Sequence, residues 1–224
     1  MGSFMTYPRP DGGTARGYLA PASAADAPGI VVIQEWWGLQ EQITGLCDRL
    51  ATSGYHALAP DLFHGVVVPY HDADQAAKQM NSLNFIEATD QDVRGAAQYF
   101  AAKGKKVGLT GFCMGGAVTL LGAVRIPELT AAVIFYGLPP ANVADPADVQ
   151  VPLQAHFANQ DDWCTPAAVD AFEAALKAAG RSCEIYRYDA GHAFVNQQRP
   201  EVYDAAAADL AWQRSLAFWH RHLD

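Results

Sequence analysis

The sequence predicts a single α/β domain, residues 1–224, in which a mainly parallel central sheet is covered by helices on both faces. Three observations carry this. Short continuous apolar runs such as Gly29-Ile30-Val31-Val32-Ile33 have the composition of strands buried on both faces. Between such runs lie segments with apolar residues at the i, i+3, i+4, i+7 spacing of amphipathic helices. The chain has 224 residues, half of them apolar, which is enough for a substantial core.

Taken in order, residues 3–20 read as two strand-like pieces split by Asp11-Gly12-Gly13, a hairpin signal. The buried strand 29–34 leads into Glu35-Trp36-Trp37-Gly38. The next helix aligns Ile43, Leu46, Cys47, Leu50 and Ala51 and stops at Gly54, so Cys47 is a core residue. Tyr55 to Pro60 is a further buried strand, ending at Asp61. Residues 62–88 have no strong period and are expected to form a loop with one short helix, as a pocket wall. Val93, Ala96, Ala97, Phe100 and Ala101 make a helix closed by Gly104, and Lys106 to Thr110 the strand after it. Strands follow at Ala131–Tyr136, Leu153–Ala158 and Cys183–Tyr188. Thr165-Pro166 opens a helix, with Thr as N-cap and Pro at the first helical position. The final helix is expected to bury Ala205, Ala208, Trp212, Leu216, Trp219 and Leu223.

A net charge of −9 argues against nucleic acid or an anionic membrane as the main partner. No apolar run approaches the length of a spanning helix, and the N-terminus lacks the basic–apolar–small order of a secretory signal. A cytoplasmic monomer or weak homodimer is therefore expected. Cys47, Cys113, Cys164 and Cys183 show no Cys-x-x-Cys spacing and read as free thiols, with no disulfide framework. His220-x-His222 resembles a metal pair only superficially, so neither metal nor cofactor is expected.

The chemistry is expected at Gly108-Leu109-Thr110-Gly111-Phe112-Cys113-Met114-Gly115-Gly116. An apolar run, then Gly-x-Cys-x-Gly, then small helix-forming residues is the strand–nucleophile–helix turn of α/β-hydrolases, with cysteine where serine usually stands. The glycines allow strand and helix to approach closely around a strained nucleophile. The turn aims the Met114 N–H at a developing oxyanion. A cysteine between glycines is also often a small buried residue, so the order of residues elsewhere matters. Asp161 stands just past the strand at 153–158, His192 just past the last strand, and Glu35 at the end of the first buried strand. Nucleophile, then acid, then histidine is the α/β-hydrolase order. His192 can take the thiol proton and Asp161 can hold the imidazole tautomer. Spacing alone leaves Asp162 open beside Asp161. Trp37, Phe63, Phe112, Trp163 and Phe194 are candidates to line an apolar acyl pocket, and Cys164 reads as a loop thiol without a role.

Over nearly its whole length the chain resembles the dienelactone hydrolase family of α/β-hydrolases. The matching pieces are Gln34-Glu35 with Gly38, Pro60-Asp61-Leu62, Gly111 through Gly116, Tyr136-Gly137, His156-Phe157 through Asp161, and Gly191-His192-Ala193-Phe194. The resemblance implies an α/β-hydrolase fold without a large cap domain. It implies Cys113 as nucleophile, His192 as base, Asp161 as orienter, and a small ester or lactone as substrate. It also implies that Glu35 sits beside the resting thiol and helps to ionise it, and that the Trp36 and Met114 N–H groups form the oxyanion hole. The family's arginines for an anionic substrate are not matched: residues 66–84 hold Lys78 alone, and after His192 the first arginine is Arg199. A neutral substrate is therefore expected, with Lys78 placed in the substrate pocket, Lys78 or Arg199 as the cation that would restore a clamp, and the anionic dienelactone as the alternative. Of two rivals, a glutaminase-type cysteine enzyme would need His-x-Glu, where this chain has His192-Ala193-Phe194. A non-catalytic binding protein would be expected to have lost a triad member.

Overall fold

The hairpin β1 (Ser3–Pro8) and β2 (Thr14–Ala20) turns at Asp11-Gly12-Gly13, where Gly12 takes a φ of 86°. The computed structural model describes residues 1–140 and 142–224. The other strands are β3 (Gly29–Ile33), β4 (His56–Pro60), β5 (Val107–Phe112), β6 (Ala131–Phe135), β7 (Leu153–Gln160) and β8 (Cys183–Gly191). They form one sheet in the order β1-β2-β4-β3-β5-β6-β7-β8. From β4 to β8 every pairing is parallel, and β2 joins β4 antiparallel. All five residues of β3 are buried, as the unbroken apolar run predicts.

The helices are α1 (Glu41–Thr52), α2 (Ala73–Ser82), α3 (Phe85–Glu87), α4 (Arg94–Ala101), α5 (Met114–Arg125), α6 (Pro166–Ala178) and α7 (Ala205–Leu223). Helices α1 and α7 cover one face of the sheet, and α4, α5 and α6 the other. Strand side chains alternate between these layers: Ile30 and Val32 meet Ile43, Leu50 and Trp219, whereas Val31 and Ile33 meet Leu109 and Val118. Cys47 lies fully buried in the α1 layer, as predicted.

Two local expectations are corrected. Residues 62–88 hold α2 and α3 rather than one short helix, and a π-helical turn, Ala88–Val93, joins α3 to α4. Each start is capped: Asp72 accepts from the Gln75 N–H and Asn84 from the Glu87 N–H, which compensates for weak apolar periodicity. In α7 the buried stripe is Ala208, Ala211, Ser215, Phe218, Trp219 and Leu223, while Trp212 and Leu216 are only half-buried and Ala205 is exposed. The small residues Ala211 and Ser215 face the sheet because Ser215 hydrogen-bonds the buried His156 Nε2 at 3.1 Å. No helix among the described residues is long and apolar enough to cross a membrane.

Candidate active site

Just past the C-terminal ends of five neighbouring strands stand Glu35 (β3), Cys113 (β5), Tyr136 (β6), Asp161 (β7) and His192 (β8). The sequence runs from β3 to β4 on one side, while β5 pairs on the other, so Glu35 and Cys113 flank the point where strand order reverses. Cys113 has φ 55° and ψ −117°, a conformation that L-residues rarely adopt and that lifts the sulfur off the strand. The glycines make this possible. A Cβ on Gly111 would lie 2.1 Å from the Gly115 carbonyl oxygen, and one on Gly115 would lie 2.5 Å from that of Gln34. Neither the Trp36 nor the Met114 N–H has a backbone acceptor among the described residues. Met114 opens α5, where N–H groups lack intrahelical partners.

His192 Nδ1 bonds Asp161 Oδ2 at 2.7 Å. Asp161 Oδ1 accepts from the Trp163 and Cys164 N–H groups at 2.8 Å each, whereas Asp162 is exposed. Burial alone would raise the Asp161 pKa, but these hydrogen bonds and the His192 charge hold it below the usual carboxylate range. Burial alone would lower that of His192; the Asp161 carboxylate and the neighbouring Cys113 sulfur outweigh it and push it up to about 10.

Glu35 is buried, and burial raises its pKa against the opposing effect of its hydrogen bonds. Its two oxygens accept from Asn196 Nδ2 at 2.8 Å and Tyr136 Oη at 3.2 Å. Among the described residues it makes no hydrogen bond to the Cys113 sulfur, because two neutral donors already satisfy it. Tyr136 and Asn196 are functional candidates that sequence reasoning missed as such. Tyr136 was visible only as part of the Tyr136-Gly137 match, although its φ of 35° marks a constrained position.

Two connected cavities share Cys113, His192, Met80 and Trp163. The smaller, of about 300 Å³, is walled by Trp36, Trp37, Tyr70 and Arg199. The larger, of about 610 Å³, is walled chiefly by apolar residues, among them Leu83, Phe85, Leu138 and Val143. Trp37 and Trp163 thus line the site as expected. Phe63, Lys78, Phe112 and Phe194 do not. Phe112 precedes Cys113 by one residue, so its side chain points to the opposite sheet face and stacks on Phe135 at 4.6 Å. Phe194 is fully buried against Tyr136 and Tyr188. Phe63 lies against a separate cavity with Arg9 and Asp92. On α2, Ala76 and Met80 face inward, and Lys78 is on the exposed side. Cys164 is buried beside the site and lines the larger cavity. His220 pairs with Asp224, and no metal-binding cluster is present among the described residues.

The model of the dienelactone hydrolase family matches residues 15–223. Protein usf of Aquifex pyrophilus is 32% identical over 235 residues, covering all of both chains. A protein of Aquifex aeolicus (strain VF5), provisionally named a carboxymethylenebutenolidase, is 30% identical and also covers both chains fully. The crystal structure of a Klebsiella pneumoniae protein, provisionally named a dienelactone hydrolase, superposes with a TM-score of 0.86 at 30% identity, covering 99% of this chain and 100% of that one.

Proposed function

The chain belongs to the dienelactone hydrolase family, and from that premise we propose that it hydrolyses small carboxylic esters or lactones through a Cys-His-Asp triad. The observation that carries this reading is the His192–Asp161 bond of 2.7 Å beside a cysteine held at φ 55° on the same cavity wall. In this mechanism the Cys113 thiol proton passes to His192 Nε2 and the sulfur attacks the substrate carbonyl. The Trp36 and Met114 N–H groups receive the resulting oxyanion. Collapse forms a thioester and releases the alcohol or enol, which takes its proton from His192. Water, deprotonated by His192, then attacks the thioester, and the acid departs as the thiol reforms. Incubation with p-nitrophenyl acetate and rapid acid quench should show one acetyl group on Cys113 by peptide mass mapping. Turnover without any acyl-enzyme, or acylation elsewhere, would refute the covalent route.

The reading includes a preference for neutral substrates. None of the described residues lining the larger cavity is Lys or Arg. Arg199, on the wall of the smaller one, already bonds Glu201 at 2.9 Å and stacks over Trp37 at 5.4 Å. A free clamp would be worth about 1.5–3 kcal/mol for a charge-assisted bond, or about ten- to a hundredfold in binding. The methyl ester of a dienelactone carboxylate is therefore expected to show the higher kcat/KM at fixed ionic strength. Arg199 also favours a second reading, hydrolysis of the anionic lactone itself. A preference for the free acid that vanishes in Arg199→Ala would establish it.

Glu35 is assigned to positioning the site and modulating the thiol through Tyr136. Its raised pKa means that the native state binds protons more tightly than the unfolded chain. The carboxylate thus opposes folding once pH rises above its ordinary value near 4.5. Glu35→Gln is expected to raise the melting temperature at pH 8, with the gain shrinking toward pH 4. Turnover should fall, and the pH dependence of Cys113 alkylation by iodoacetamide should shift. A destabilised variant with wild-type alkylation kinetics would remove Glu35 from this role.

A further inference from the structure

Beyond this activity, we propose that the cleft between α1 and α7, on the opposite face of the sheet from Cys113, is an effector site. Its ligand class is a flat aromatic carboxylate with a second oxygen acceptor at its far end. The cleft holds a cavity of about 290 Å³ whose floor is the stacked pair Phe112 and Phe135. Beside them lies Gln42, only 3% exposed, whose Nε2 has no hydrogen-bond partner. A buried donor left empty is costly, so a ligand oxygen there satisfies a standing deficit. Seven residues along α1, the Arg49 guanidinium lies over the Trp212 ring at 4.0 Å. Its ionic partner Asp209 is 3.8 Å away, and both are exposed, so that pair holds it weakly. Asp209 is the one carboxylate among the described residues of the wall, against Gln42, Arg49, Gln197 and Tyr203 as donors.

Gly45 keeps the cleft open. It sits in mid-helix between these two groups, and a Cβ added there would meet nothing within 4 Å. A glycine in a helix interior is less favourable than alanine, and no contact in this chain requires it.

The cavity is tied to the catalytic group by three one-residue steps. Phe112 adjoins Cys113, Phe135 adjoins Tyr136, and Val195 and Gln197 flank Asn196. Tyr136 and Asn196 are the two donors to Glu35. Phe112 and Phe135 are the last residues of β5 and β6, so a ligand seated on them presses on the strand ends from which Cys113 and Tyr136 emerge.

The test is calorimetric titration of the protein with 4-hydroxybenzoate. Binding is expected, at least tenfold weaker for neutral 4-hydroxybenzamide and about threefold weaker for benzoate, which lacks the far oxygen. Gly45→Leu fills the cleft while improving helix propensity, and Arg49→Gln removes the cation; each should weaken binding tenfold or more. In the esterase assay 4-hydroxybenzoate should change kcat at least twofold in the unsubstituted enzyme and leave Gly45→Leu, of normal basal activity, unaffected. No binding, binding unchanged in both variants, equal binding of the amide, or binding without any effect on kcat would each overturn the proposal. The titration requires no turnover, so it stands or falls apart from the hydrolytic reading.

Discussion

Cys113→Ala is expected to lower turnover of p-nitrophenyl acetate by on the order of 10⁴-fold or more, since a missing nucleophile removes the whole covalent route. The variant should stay folded. Alanine tolerates the φ of 55° no worse than cysteine, and Gly111 and Gly115 still provide the close strand–helix contact. The acyl-enzyme seen by mass mapping should vanish with the activity. Cys47→Ala, Cys164→Ala and Cys183→Ala should leave the chemistry largely intact, because none of those thiols stands on the strand–helix elbow that holds Cys113 beside His192. Cys164 lines the larger cavity and is the most demanding of these controls. Retention of wild-type turnover by a folded Cys113→Ala protein would end the thiol mechanism.

The next largest effect is expected from Asp161→Asn: a loss in kcat of about 10³–10⁴-fold with little change in fold. Asp161 Oδ2 accepts from His192 Nδ1, which leaves Nε2 unprotonated to take the thiol proton. An asparagine can keep the acceptor for the Trp163 and Cys164 N–H groups, but its amide then donates to Nδ1. The imidazole is thereby driven into the wrong tautomer. The raised His192 pKa also depends on the carboxylate, so the pH profile of kcat/KM set by His192 should move to lower pH in the variant.

Stability follows the same charges. The depressed pKa of Asp161 gives stability that is present above its unfolded value and lost as pH falls through the folded one. The raised pKa of His192 gives stability that is complete below about 6.5 and lost as pH rises toward about 10. The difference in melting temperature between wild type and Asp161→Asn should therefore be greatest between these limits and narrow on both sides. Asp162→Asn, at an exposed position, should change none of these quantities.

The strands, the helices that cover them and the order cysteine–aspartate–histidine past the strand ends were legible in the sequence because each rests on local rules. Unbroken apolar runs mark two-sided burial, glycines mark the elbow, and Thr165-Pro166 marks a helix start. Local rules do not say which way a ring points once its strand ends. Phe112 and Cys113 are consecutive, yet Phe112 ends β5 against the cleft between α1 and α7, while Cys113, turned by its φ of 55°, lines the cavity with His192. Residues 62–88 hid two helices because capping by Asp72 and Asn84, together with the cavity they border, compensates for a weak period.

The sequence by itself determined the architecture, the elbow at Cys113, and a histidine and an aspartate pair past the strands that follow it, since these follow from periodicity, turn chemistry and chain order. Only the tertiary structure decided that Asp161 rather than Asp162 meets His192. It alone showed that Tyr136 and Asn196 hold Glu35, that Arg199 rather than Lys78 reaches the cavity wall, and that the buried Gln42 amide nitrogen has no hydrogen-bond partner. These are contacts between residues as far as 161 positions apart in the chain. Their distances are set by how whole layers pack, which no local pattern encodes.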